Sequence, residues 1–150
     1  MLTIAQVAAH ADECEALTAK VVANVRGATF DKISSSRLHY ELKHPASAGV
    51  TVHCRLPPSA PPFGAEVPAA ISVVAESAFP PASYFDLIGK AGSVLTGRPA
   101  SAIRKNAMAC HQRALAQTHK SAESTVDGIY YVCAAEAWGA ITVQNGPPPP

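Results

Sequence analysis

The apolar residues of this chain change their spacing three times, and that succession limits the fold more than any single motif does. Between residues 3 and 26 they recur at helical intervals: Ile4, Val7, Ala11, Cys14, Leu17, Val21 and Val25 make one stripe. Thr3 and Gln6 form a capping-box pair at its start, and Gly27 suits the position just past its end. The spacing then shortens to two. In residues 37–44, Leu38, Tyr40 and Leu42 share one face, and His39, Glu41 and Lys43 the other. In residues 50–56, Val50, Val52, Cys54 and Leu56 oppose Thr51, His53 and Arg55. With turn residues at 45–49 between them, the two segments read as an antiparallel hairpin with one wet face. A short strand around 29–34 can precede the hairpin. A proline-rich loop over 57–64 follows it, and a further strand near 69–77 carries Ile71, Val73 and Ala75.

Helical spacing then returns. Phe85, Ile88, Ala91 and Leu95 predict a helix over Ala82–Thr96, closed by Gly97. Pro99 opens a second helix running to about Lys120, with Ile103, Ala107, Cys110 and Ala114 at its apolar centre. The glycine-rich stretch 89–97 lacks the lysine-serine/threonine ending of a phosphate-binding loop. Its Gly89 and Gly92 are better explained by a close helix–helix contact. Residues 128–138 and 139–145 read as two closing strands, and 147–150 as a disordered polyproline tail.

Strands that cluster instead of alternating with helices predict an α+β domain. The expected order is α-βββ-αα-ββ. A mainly antiparallel sheet of about five strands packs against an N-terminal helix and a central helical pair. The 150 residues suit one domain over 1–146, and 48% hydrophobic residues provide a core. No apolar run reaches the roughly 18 residues of a transmembrane helix. His10, Asp12, Glu13 and Glu15 stand where a signal peptide would have its basic and apolar regions. The abundant alanine fits a GC-rich bacterial genome.

Four cysteines, Cys14, Cys54, Cys110 and Cys133, are spread too widely for a zinc knuckle. Two of them adjoin histidines, in His53-Cys54 and Cys110-His111. On a strand, neighbours point to opposite faces, so an inward Cys54 turns His53 outward. On a helix they diverge by about 100°, so a central Cys110 leaves His111 toward the stripe's edge. All four cysteines fall on core-facing positions. They are expected to be structural, as buried thiols or as two disulfides, and four cysteines allow three pairings. Pairing goes with a periplasmic or exported protein whose leader has been removed, and free thiols with a cytoplasmic one.

A net charge of +1 directs the chain to neither nucleic acid nor membrane. One local asymmetry is present: no acid lies between Asp86 and Glu123, and Lys105, Arg113 and Lys120 are expected on one polar face of the second central helix. Trp138, Tyr130 and Tyr131 lie in the closing strands, where they fit either an exposed aromatic face or the core. No hydrolase, nucleotide or zinc-protease motif occurs, and no catalytic residue, metal or cofactor is expected. The expectation is a non-enzymatic binding protein, an adaptor, an inhibitor or the soluble part of an exported protein, acting through a protein surface or by self-association. The second reading is an anion- or nucleic-acid-binding domain using the basic helix over 99–120. The third is a cysteine-dependent enzyme or metal protein, for which Cys110, with Arg104, His111 and Arg113 on its helix, is the best candidate.

Overall fold

The structure, a computed structural model, describes residues 4–30, 39–56 and 66–148, with backbone alone for 4–12 and 30. The elements are α1 (Ile4–Asn24), β1 (Thr29–Phe30), β2 (His39–Lys43), β3 (Gly49–His53), β4 (Ala70–Val74), α2 (Ala82–Thr96), α3 (Ala100–Ala116), β5 (Ser121–Val126), β6 (Ile129–Ala134) and β7 (Ala140–Gln144). The capping pair, most of the early strand, the start of the hairpin, the proline-rich loop and the last two tail prolines lie outside the described residues.

One sheet holds every strand, in the order β1-β2-β3-β4-β7-β6-β5, with all neighbours antiparallel. The chain builds one meander from β1 to β4 and leaves the sheet through α2 and α3. It re-enters at the far edge with β5 and meanders back until β7 meets β4. The class is α+β, as the spacing predicts. Six strands have five or six residues and β1 has two, against the expected five.

The register lines up the inward residues of consecutive strands. One row runs Leu42, Val50, Val73, Ile141 and Cys133; the next runs Val52, Ile71, Val143 and Tyr131. All are buried, and their neighbours in sequence turn to the opposite face. Helix α1 packs on β2, β3 and α2; α2 on β4, β7 and α3; α3 on β5, β6 and β7. The helices therefore cover one face of the sheet. Because α2 packs against the sheet and against both other helices, Tyr84, Leu87, Gly89 and Gly92 are buried beside its predicted stripe. A Cβ on Gly89 would stand 2.7 Å from the Ala100 carbonyl oxygen, and one on Gly92 would stand 2.6 Å from Ile103 Cγ2. The glycine-rich stretch is thus a close contact between helices.

The second central helix is shorter than expected. It ends at Ala116, where Gln117 turns extended, and residues 121–126 form β5. Ser121–Val126 carries little apolar periodicity, so its spacing does not predict a strand. A signal was present nonetheless. Asp127 and Gly128 follow at φ 51 and 77, the two positive angles of a type I′ hairpin turn.

His44, which has no evident partner in the sequence, joins two elements. Ala46 N–H donates to its Nδ1 at 3.1 Å, so Nε2 carries the proton and donates to the Arg26 carbonyl at 2.9 Å. The end of α1 is thereby tied to the β2–β3 turn.

Tyr84 joins α2 to the sheet, its hydroxyl donating to the Val73 carbonyl at 2.6 Å. Burial pushes its phenol above the ordinary value of 10.0, because a phenolate there would lose its water. The folded chain therefore keeps this proton where the unfolded chain releases it. The resulting stability is complete below about pH 10 and falls as pH rises beyond it. Tyr84→Phe is expected to cost about 1 kcal/mol at neutral pH and to reduce the alkaline loss. Urea unfolding midpoints of both proteins at neutral and alkaline pH check this; an unchanged alkaline slope would count against it.

Candidate functional site

All four cysteines are paired. Cys14 joins Cys54 and Cys110 joins Cys133, with Cα separations of 5.2 and 6.0 Å. Each pair fastens a helix to the sheet: Cys14 on α1 reaches the residue after β3, and Cys110 on α3 reaches β6. The inward-facing cysteines of the sequence reading are therefore disulfides. No thiol remains to act as nucleophile or metal ligand. Among the described residues, no group of three or more His, Cys, Asp or Glu side chains could hold a metal.

The basic helix face is not assembled as expected. Lys105 and Arg113 are exposed on α3, but Lys120 lies beyond the helix in a turn at φ 51. Its ammonium donates to the Leu115 carbonyl at 2.7 Å. Arg104 pairs with Asp86 at 2.6 Å, and Arg98 donates to the Asp127 carbonyl at 3.3 Å. Arg104 thus meets a carboxylate at the edge of the acid-free stretch, whereas Lys120 and Arg98 meet backbone carbonyls, which leave their charge unbalanced.

The aromatic residues separate. Tyr131 is wholly buried and Tyr130 nearly so. Trp138 lies in the β6–β7 loop, past the strand in which it was expected, and is 70% exposed. Its φ is 65, an angle that bulky residues rarely adopt. Ala75 N–H donates to the Gly139 carbonyl at 2.7 Å, joining this loop to the β4–α2 loop. That second loop carries Phe79, 78% exposed. Phe79 stands on the rim of a cavity of about 200 Å³ lined by Pro80, Phe85, Met108, His111 and Leu115.

His111 positions this second loop. It is 5% exposed, more buried than its predicted place at the stripe's edge, because the β4–α2 loop lies over it. The Ala78 carbonyl can only accept, so His111 Nε2–H donates to it, at 3.0 Å. The ring meets Phe85 edge-on at 5.6 Å. The neighbours Cys110 and His111 thus do separate jobs, one tying α3 to the sheet and the other holding the backbone next to Phe79.

The face of the sheet opposite the helices carries a second concavity, of about 460 Å³. Its floor holds His39, His53, Ser72, Thr142 and Gln144, and its wall Leu56, Val67 and Pro68. Leu56 and Val67 close the wall by exchanging backbone hydrogen bonds of 2.8 and 2.9 Å. Arg55 Nε reinforces it with a 2.6 Å bond to Glu66. His53 Nε2 is hydrogen-bonded to Ser72 Oγ at 3.1 Å, and Ser72 Oγ to Thr142 Oγ1 at 2.7 Å. Gln144 is buried, with its amide donating to the Pro147 carbonyl. Desolvation first, and then the charge of His39, holds His53 below the ordinary histidine value of 6.5, so its ring is neutral at neutral pH. His53 points outward, as the strand alternation predicts. What the alternation does not show is that His39 stands opposite it, and that His53 reaches diagonally to Ser72, which is paired with Thr142 in the neighbouring row across β4 and β7.

No helix among the described residues is long and apolar enough to cross a membrane. Compared with protein-family models, curated proteins and solved structures, the chain matches none.

Proposed function

We propose that this domain is a non-enzymatic binding module that captures a protein partner through the loop end carrying Phe79 and Trp138. The observation that carries the reading is Trp138. A residue at positive φ costs of order 1–3 kcal/mol, and here that strain holds a large apolar ring in water. Phe79, on the hydrogen-bonded neighbouring loop, gives a second anchor, and the cavity beside it suits an apolar side chain from the partner. Exposed Glu76 and Glu136 flank the two aromatics. Those carboxylates would be repelled by an anionic lipid surface, which favours a protein as the occupant. Two disulfides support a periplasmic or exported setting.

Trp138→Gly separates binding from folding. Glycine adopts positive φ without a steric penalty, so the variant is expected to be more stable than the wild type by about 1 kcal/mol. It is also expected to bind at least ten times more weakly. The assay is affinity capture from the source organism's extract, followed by titration of the captured protein against wild type, Trp138→Gly, Phe79→Ala and Lys105→Ala/Arg113→Ala. Weakening confined to the aromatic variants, with little salt dependence, supports the reading. Weakening confined to the double basic variant, with steep salt dependence, would replace it by the anion-binding alternative.

A further inference from the structure

The groove on the sheet face opposite the helices has no part in partner capture at the loop end. We propose that His39 and His53 chelate one divalent transition-metal ion, of the Cu²⁺ class, on the floor of this groove.

The two histidines are direct cross-strand partners on β2 and β3. Opposed residues of an antiparallel pair project to the same side, with Cβ atoms about 5 Å apart. Their ring centroids are 6.3 Å apart and their planes are inclined at 43°. A metal–imidazole bond of about 2.1 Å places an ion about 3 Å from a ring centroid. A separation of 6.3 Å matches two imidazoles on opposite sides of one ion, and side-chain rotation brings the ligating nitrogens to it.

The surroundings resemble those of a ligating histidine. His53 Nε2 is engaged by Ser72 Oγ, which is itself held by Thr142 Oγ1. When Nε2–H is the donor, the lone pair is fixed on Nδ1. A hydrogen bond at one ring nitrogen is the usual device for choosing the nitrogen that binds metal. The hydroxyl row comes from β4 and β7 in the middle of the sheet, so its positions are rigid. Water or a small ligand within the groove would complete the coordination.

The donor set also selects the ion. All four cysteines are disulfide-bonded, so no thiolate competes. Two imidazoles, with no carboxylate grouped with them among the described residues, favour Cu²⁺ over Ni²⁺ and Zn²⁺, and disfavour Mg²⁺ and Ca²⁺.

The test is calorimetric titration of the whole chain with cupric chloride alone, in a non-chelating buffer at neutral pH. One saturable equivalent is expected. His39→Gln and His53→Gln should each weaken it at least tenfold, Ser72→Ala severalfold, and His119→Gln not at all. Electron paramagnetic resonance of the loaded wild type, which does not depend on how the variants fold, should show coupling to imidazole nitrogens. Absence of saturable binding, or binding that survives the His39/His53 double variant, would overturn the proposal.

Discussion

Replacing Cys110 and Cys133 together by alanine is expected to lower the thermal unfolding midpoint by about 10 °C. The bridge closes a span of 23 residues, and the Cys14–Cys54 bridge one of 40. In the chain-entropy account, loops of these sizes restrict the unfolded chain by roughly 3–4 kcal/mol each. For a domain of this length, each kcal/mol is worth about 2–4 °C. The two pairs should differ in one respect. Cys110 and Cys133 are both wholly buried, so truncation also opens a small cavity between α3 and β6. The span they close contains β5, whose polar sequence contributes little packing of its own. Hydrogen exchange should therefore rise first in β5 in this variant. In the Cys14→Ala/Cys54→Ala variant it should rise first in α1, whose main contacts with the sheet are at β2 and β3. Calorimetric midpoints and exchange mass spectrometry measure both effects. Equal loosening across the sheet in both variants would show that the bridges do not act locally.

Gly139→Ala is expected to destabilise the fold by about 3 kcal/mol and to displace Trp138 with it. A Cβ at this position would stand 2.2 Å from the Ala134 carbonyl oxygen and 2.9 Å from both the Ala134 carbonyl carbon and the Glu136 carbonyl oxygen. All three obstacles are backbone, so no side chain can rotate away to make room. The same short loop carries the Gly139 N–H bond to Glu136 at 2.9 Å and the Ala75 bond that joins it to the Phe79 loop. The variant should therefore lose both stability and the fixed relation between the two aromatic loops. Chemical denaturation measures the first and the tryptophan fluorescence spectrum the second. A change below about 0.5 kcal/mol would mean that the loop can rearrange freely.

Much of the helical layer is legible along the chain because a buried helix face repeats within a few residues. Phe85, Ile88, Ala91 and Leu95 on α2, and Ile103, Ala107, Cys110 and Ala114 on α3, are buried as their spacing predicts. The β2–β3 hairpin is legible for the same reason, including the split between inward Cys54 and outward His53. Strand β5 is not, because an edge strand buries too little on either face to leave a period. Its one clear trace is the Asp127-Gly128 turn behind it. The burial of His111 is not legible, because helical geometry describes one helix at a time. His111 became buried only when the β4–α2 loop, more than thirty residues earlier, folded across it.

By itself, then, the sequence determined the class of the fold, the direction each cysteine faces and the separation of each Cys-His pair, because all of these follow from local spacing. Tertiary structure alone decided which cysteines join, that Trp138 and Phe79 stand on linked loops, and that His39 meets His53 above a row of hydroxyls. Those outcomes depend on strand register and helix placement. Both are set by cooperative packing of residues far apart in the chain, about which a local period carries no information.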